Sequence, residues 1–172
     1  MIPFLYLKTI NAPYEKEFKS KFDSFLEKGW YILGNEVTAF QKEYAAYCGT
    51  QFCIGTANGL DALRLILEGY KILGKLQEGD EVLVASNTYI ATIIGVKQAG
   101  LIPILVEVNP DTFNFDYSDL EKKITSKTRV IMPTHLYGRL TDMDRVNAFA
   151  KAYNLLTVTD CAQSHGAITA SG

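Results

Sequence analysis

Apolar residues recur along this chain with two different periods. Over residues 14–28, Tyr14, Phe18, Phe22 and Phe25 fall at helical spacing between Pro13 and Gly29, with Lys and Glu on the opposite face. The pattern predicts an amphipathic helix with one face buried, its aromatic stripe serving as core or subunit-contact surface rather than as a cofactor box. Residues 30–34 form an apolar connector too short for a helix. A second helix is expected from Asn35 through Val37, Phe40, Tyr44 and Tyr47, ending at Gly49.

From residue 51 the pattern alternates. Short apolar runs at 51–55, 81–86, 102–108, 129–134 and 155–160 predict five strands, and the intervening stretches 58–73, 88–98, 116–124 and 142–153 read as helices. Gly74, Gly79-Asp80, Gly100 and Asn109-Pro110-Asp111 supply the breaks. Asp116 is expected to cap its helix, with Asp119 completing an imperfect capping box. Strands alternating with helices require crossover connections, so the chain reads as α/β, a mainly parallel sheet with helices on both faces. Residues 1–50 supply N-terminal helices to it and residues 51–172 the sheet region.

Composition narrows the class. A hydrophobic share of 48% beside 21% charged residues is that of a globular chain. A net charge of −2 with no concentrated basic face argues against a nucleic-acid partner. The first residues lack the parts of a signal peptide, and no run reaches the roughly 18 apolar residues of a membrane helix, so a cytoplasmic protein with no membrane partner is expected. Cys48, Cys53 and Cys161 lack metal-site spacing and read as reduced structural thiols. With only His135 and His165 in the chain, no zinc site is expected.

Two tracts carry candidate chemistry. Residues 155–159 run into Asp160-Cys161-Ala162-Gln163-Ser164-His165-Gly166, the way a sheet delivers a carboxylate to the edge where ligands bind. Asp160 fits a simple turn cap as well. The second tract, Gly55-Thr56-Ala57-Asn58-Gly59-Leu60-Asp61, opens an amphipathic helix and lets backbone N–H groups approach an anion closely. An ordinary N-cap by Asn58 explains the same residues. The turn matches neither G-x-G-x-x-G nor G-x-x-x-x-G-K-[ST]. Residues 56–60, 86–89, 135–138 and 160–165 all sit at carboxyl ends of expected strands, which gathers them on one sheet edge.

Together with Ser86-Asn87-Thr88-Tyr89-Ile90-Ala91-Thr92, Thr134-His135-Leu136-Tyr137-Gly138 and Gly29-Trp30-Tyr31-Ile32-Leu33-Gly34, these tracts fall in an order that closely resembles the DegT-type nucleotide-sugar aminotransferases. Those are pyridoxal-phosphate enzymes with the aspartate aminotransferase fold. The resemblance covers essentially the whole chain and implies the N-terminal portion of the large, cofactor-binding domain, incomplete and without the small C-terminal domain. It implies pyridoxal 5'-phosphate as cofactor, with Asp160 as partner of the pyridinium nitrogen, Gln163 near the ring hydroxyl and Tyr89 stacked on the ring. Asn58, Gly59 and Leu60 match the phosphate turn through backbone N–H groups, with Thr56 a weaker addition. The alternative reading of Tyr89 is a half-buried tyrosine at a helix start; His165 either supports the residues that touch the cofactor or, the favoured reading, is a turn histidine. His135 and Tyr137 line the same edge without an assigned contact, and Thr9, Asn11 and Tyr14 match a region near substrate.

The implied partners are a nucleotide-linked keto-deoxysugar and an amino-acid donor, glutamate, acted on by a homodimer. The opening segment and residues 29–34 lean toward 3-keto, 6-deoxy dTDP-sugars. The Schiff-base lysine implied by the resemblance lies some tens of residues beyond the acid tract, whereas Lys151 is the last lysine of these 172 residues. A polypeptide truncated before that lysine and inactive alone is therefore expected. Two other readings are a non-catalytic remnant or association module of the same fold, and a sugar dehydratase in which histidine replaces the lysine. A plain dinucleotide-binding domain would need a glycine fingerprint that is absent.

Overall fold

In a computed structural model that describes residues 3–169, the chain divides into two compact units, Met1–Gly55 and Thr56–Gly172. The first is helical: α1 (Leu7–Asn11), a 3-10 turn (Ala12–Tyr14), α2 (Glu15–Lys28) and α3 (Asn35–Tyr47). Pro13 sits in the first turn of the 3-10 segment, where its missing N–H costs nothing, and Gly29 closes α2 at φ 63°. The aromatic stripe of α2 is not buried as expected, since Tyr14, Phe18 and Phe22 are 54%, 58% and 60% exposed. Their rings pair along their own stripe, Tyr14 with Phe18 at 6.0 Å and Phe22 with Phe25 at 6.4 Å. Spacing puts apolar residues on one face of a helix but does not by itself supply what covers it.

The second unit contains α4 (Gly59–Ile72), β1 (Glu81–Ala85), α5 (Ile90–Gln98), β2 (Ile102–Val106), α6 (Tyr117–Lys123), β3 (Thr128–Met132), a 3-10 turn (Leu136–Gly138), α7 (Met143–Ala152) and β4 (Leu156–Thr157). All pairings in the sheet are parallel and its order is β2-β1-β3-β4. The two-residue period of the strands sorts the core. Val82, Val84, Val130 and Met132 pack with Leu63 and Leu67 of α4 and Val96 of α5. Leu83, Ala85 and Ile131 face the other way, against Leu120 of α6 and Val146 and Phe149 of α7. Helices therefore cover both faces, as expected.

Three expectations need correction. Residues 51–55 form no strand, because a strand persists through its ladder and no described strand pairs with them; Phe52 and Ile54 are 74% and 78% exposed. The last strand shrinks to two residues, followed by an isolated Thr134–Asp160 bridge. Pro133 accounts for the gap, having no N–H to give to the neighbouring chain. Asp116 does cap α6, accepting from the Ser118 N–H at 2.8 Å, but Asp119 does not reach back to it. Its carboxylate instead accepts from the Glu107 N–H at 2.8 Å and ties α6 to the end of β2.

Candidate active site

The first turn of α4 presents donors at the carboxyl edge. Asn58 is its N-cap, accepting from the Asp61 N–H at 2.9 Å, and its carbonyl takes the Ala62 N–H at 3.1 Å. Thr56 braces the turn by donating to that carbonyl at 3.1 Å. The N–H groups of Gly59 and Leu60 are left without an acceptor among the described residues, at the end of a helix where the backbone potential is positive. A Cβ built on Gly59 would meet nothing within 4 Å.

Asp160 is fixed on every side. Its N–H donates to the Pro133 carbonyl and its own carbonyl accepts from the His135 N–H, both at 3.0 Å. The side chain accepts at Oδ1 from the Ala162 N–H at 3.1 Å and at Oδ2 from the Thr92 hydroxyl at 2.8 Å. The turn-cap reading of Asp160 is thus correct for one oxygen, while the other belongs to a hydroxyl cluster. Thr92 lies within 2.8 Å of Thr88, and Thr88 within 2.9 Å of Thr134. Each carboxylate oxygen keeps further acceptor capacity.

Asn58, Gly59, Leu60, Tyr89, Asp160 and Gln163 all line one cavity of about 360 Å³. Tyr89, the N-cap residue of α5, is 69% exposed rather than half-buried, which leaves its ring available at the cavity. The Gln163 side-chain oxygen accepts from the Tyr137 N–H at 2.8 Å, which fixes the amide orientation and leaves the NH₂ group as a donor.

His135 is buried, and its Nδ1 accepts from the Thr141 N–H at 3.1 Å. Burial pushes its imidazole below the usual value, against the opposing pull of the Asp160 charge. It is therefore a neutral structural ring. Tyr137 is held at φ 56° and lines a separate, smaller cavity with Phe113 and Arg139. His165 is exposed. Thr9 and Asn11 belong to α1 and Tyr14 to the 3-10 turn of the first unit. All three cysteines are free thiols; Cys48 and Cys161 are exposed rather than structural. Among the described residues no cluster could hold a metal ion, and no helix is long and apolar enough to cross a membrane. The hydroxyls of Thr88, Thr92 and Thr134 escaped sequence reasoning. The available signal was their place in two strand-end tracts and the four-residue spacing of Thr88 and Thr92.

A parallel sheet covered on both faces, with a helix N-terminus and a carboxylate lining one cavity at its carboxyl edge, defines an α/β protein with a candidate ligand site at that edge. The chain matches the DegT/DnrJ/EryC1/StrS aminotransferase family over residues 13–171, and it belongs to that family. It is 52% identical over 168 residues to dTDP-3-amino-3,6-dideoxy-alpha-D-galactopyranose transaminase of Aneurinibacillus thermoaerophilus, covering 98% of this chain and 45% of that protein. Its fold superposes on Streptomyces venezuelae DesV with a TM-score of 0.87 at 40% identity, covering 96% of this chain and 43% of DesV. For NtdA from Bacillus subtilis with bound cofactor PMP the values are 0.86, 32%, 96% and 37%. The chain spans less than half the length of each of these proteins.

Proposed function

We propose that this chain is the cofactor-holding part of a pyridoxal-phosphate-dependent aminotransferase that moves an amino group from an amino acid, glutamate by preference, to a dTDP-linked 3-keto-6-deoxysugar. The observation that carries the reading is the meeting of the Asp160 carboxylate and the open N–H groups of Gly59 and Leu60 at one cavity. The donor set fits the cofactor: two free N–H groups for a phosphate, an exposed aromatic face, an amide NH₂ for a ring oxygen and a carboxylate for the ring nitrogen. The 52% identity to a dTDP-3-amino-sugar transaminase supports the substrate class.

When bound, pyridoxal 5'-phosphate supplies an electron sink that is effective while its ring nitrogen is protonated. The Asp160 carboxylate holds that proton. At hydrogen-bond distance and an effective dielectric near 20, the gross attraction is about 6 kcal/mol, so protonation persists at neutral pH even after desolvation removes most of it. The Gly59 and Leu60 N–H groups would hold the phosphate, Tyr89 would stack on the ring, and the Gln163 NH₂ group would donate to the ring hydroxyl. In this reading the named residues bind and orient. The proposal includes a homodimer in the cytoplasm. The exposed stripe Tyr14, Phe18 and Phe22 supports the association, and sedimentation velocity tests it.

The test uses pyridoxamine 5'-phosphate, which cannot form adventitious adducts with surface lysines, and pyridoxamine as its phosphate-free control. Gly59→Pro removes one donor without disturbing the helix. Residue 59 is the first helical position, and Asn58 before it is already extended at φ −163° and ψ 171°. Binding of the phosphate ester should fall about tenfold and that of pyridoxamine should not change. Asp160→Ala should weaken both. Equal affinity of all three proteins for the phosphate ester would refute the site. Amino transfer from glutamate to dTDP-linked, rather than GDP- or UDP-linked, ketosugars tests the substrate class.

A further inference from the structure

Three threonine hydroxyls stand in a row behind the cavity. Thr92, in α5, is fully buried and donates to Asp160 Oδ2 at 2.8 Å. Its oxygen lies 2.8 Å from Thr88 Oγ1, which lies 2.9 Å from Thr134 Oγ1. The row thereby joins the turn after β1, the extension of β3 and the residue that ends the last strand.

Proton counting makes the row directional. An ionised carboxylate only accepts, so the single hydroxyl proton of Thr92 is committed to Asp160. The contact between Thr88 and Thr92 must then use the Thr88 proton, and that between Thr134 and Thr88 the Thr134 proton. No other assignment satisfies all three contacts. Every hydroxyl dipole in the row points at the carboxylate, and hydrogen bonds in such a chain polarise one another, by about 10–30% per bond.

We propose that Thr92, Thr88 and Thr134 are positioning residues acting as a one-way hydroxyl chain that holds the Asp160 carboxylate as an oriented acceptor; its relevance to a ring nitrogen rests on the cofactor reading above. Thr92 acts directly on Oδ2, Thr88 fixes the direction of the Thr92 hydroxyl, and Thr134 fixes that of Thr88. With Oδ2 engaged by Thr92 and Oδ1 by the Ala162 N–H, the carboxylate cannot rotate about its last bond. Only its remaining lone pairs are free to meet a ligand.

The inference has a test in the ligand-free protein and a second in the loaded one, both with Thr→Val variants that keep side-chain shape. In the ligand-free protein, NMR should show slowly exchanging hydroxyl protons for the three threonines. Thr92→Val should shift the Thr88 and Thr134 hydroxyl signals, because the final acceptor of the chain is gone. Fast exchange of all three, or a Thr88 signal unmoved in Thr92→Val, would overturn the chain. In the second test, ring-¹⁵N pyridoxamine 5'-phosphate should bind Thr92→Val about tenfold more weakly, with its nitrogen signal moved toward the unprotonated position. Thr92→Ser should recover affinity to within about threefold, and Thr134→Val should lose about twofold. A loss in Thr92→Val that serine does not rescue marks packing and overturns the proposal, as does wild-type behaviour of all the Val variants. Hydroxyl signals behaving as expected in a wild-type protein that does not bind the probe would support the chain and refute the cofactor reading.

Discussion

Gly95 controls how closely α5 approaches the first turn of α4. A Cβ built there would lie 3.4 Å from the Leu60 carbonyl oxygen, 3.4 Å from Leu63 Cβ and 3.6 Å from the Arg64 nitrogen. Those distances are ordinary van der Waals contact, so a methyl group fits and anything larger does not. Gly95→Ala should therefore stabilise the protein, because glycine inside a helix costs roughly 0.5–1 kcal/mol relative to alanine. Gly95→Val adds two methyl carbons about 1.5 Å further out, against a backbone carbonyl that cannot turn aside. Overpacking of this kind costs roughly 1–3 kcal/mol, which puts the two variants about 1.5–4 kcal/mol apart in urea unfolding, a large part of a typical domain's stability. Because Leu60 is also a proposed phosphate donor, Gly95→Val should weaken pyridoxamine 5'-phosphate severalfold while Gly95→Ala leaves it unchanged. A valine variant as stable as the alanine variant, with wild-type affinity, would refute the packing argument.

His135 makes stability pH-dependent. Its folded value is lowered by burial, so below about pH 6.5 the unfolded chain binds more protons than the folded one. The stabilisation is present above that pH and lost as pH falls toward the folded value, where protonation of Nδ1 also removes the acceptor of the Thr141 N–H. The urea midpoint should drop between pH 7 and 5 more steeply in the wild type than in His135→Asn. Asp80 is 4% exposed and accepts from the Gln77 N–H at 2.8 Å, so Asp80→Ala should cost roughly 1–3 kcal/mol by the same assay. Asn154 follows the end of α7 at φ 55°; Asn154→Gly should be neutral or slightly stabilising, whereas Asn154→Val should cost on the order of 1–2 kcal/mol in thermal unfolding.

What could be read from the chain divides along a physical line. The sheet and its two helical layers were legible because strands buried on both faces leave apolar runs, and Val82 to Ala85 is such a run. Asn58 and Asp116 were legible as caps because that function is local. Tyr89, Asp160 and Gln163 were expected together because strand ends share an edge, and they line one cavity with Asn58, Gly59 and Leu60, which follow no strand. Residues 51–55 misled because strand preference is satisfied only by a partner, which no local pattern supplies. Asp119 misled for the same reason: its spacing suits a capping box, but the Glu107 N–H, twelve residues back, captured it. In the threonine row only the Thr88–Thr92 spacing is local; the contacts spanning 68 and 46 positions depend on how distant segments meet.

The break in the last strand falls just before the carboxylate. In an unbroken ladder, residues on β3 and its neighbour would alternate donors and acceptors up to the edge, and side chains would alternate strictly between the two cores. Pro133 interrupts the ladder after Val158, whose N–H still reaches the Ile131 carbonyl at 3.1 Å. The chain then rejoins once, through the Asp160 N–H to the Pro133 carbonyl and the His135 N–H to the Asp160 carbonyl. That single return anchors the Asp160 backbone as firmly as a strand would, while ending the strand there lets Ala162 turn back onto Oδ1. The proline thus bears on the site indirectly: it accounts for where the ladder stops, while Thr134 still pairs with Asp160 at the same offset as Val130 with Leu156, so the side-chain alternation carries through to the acid.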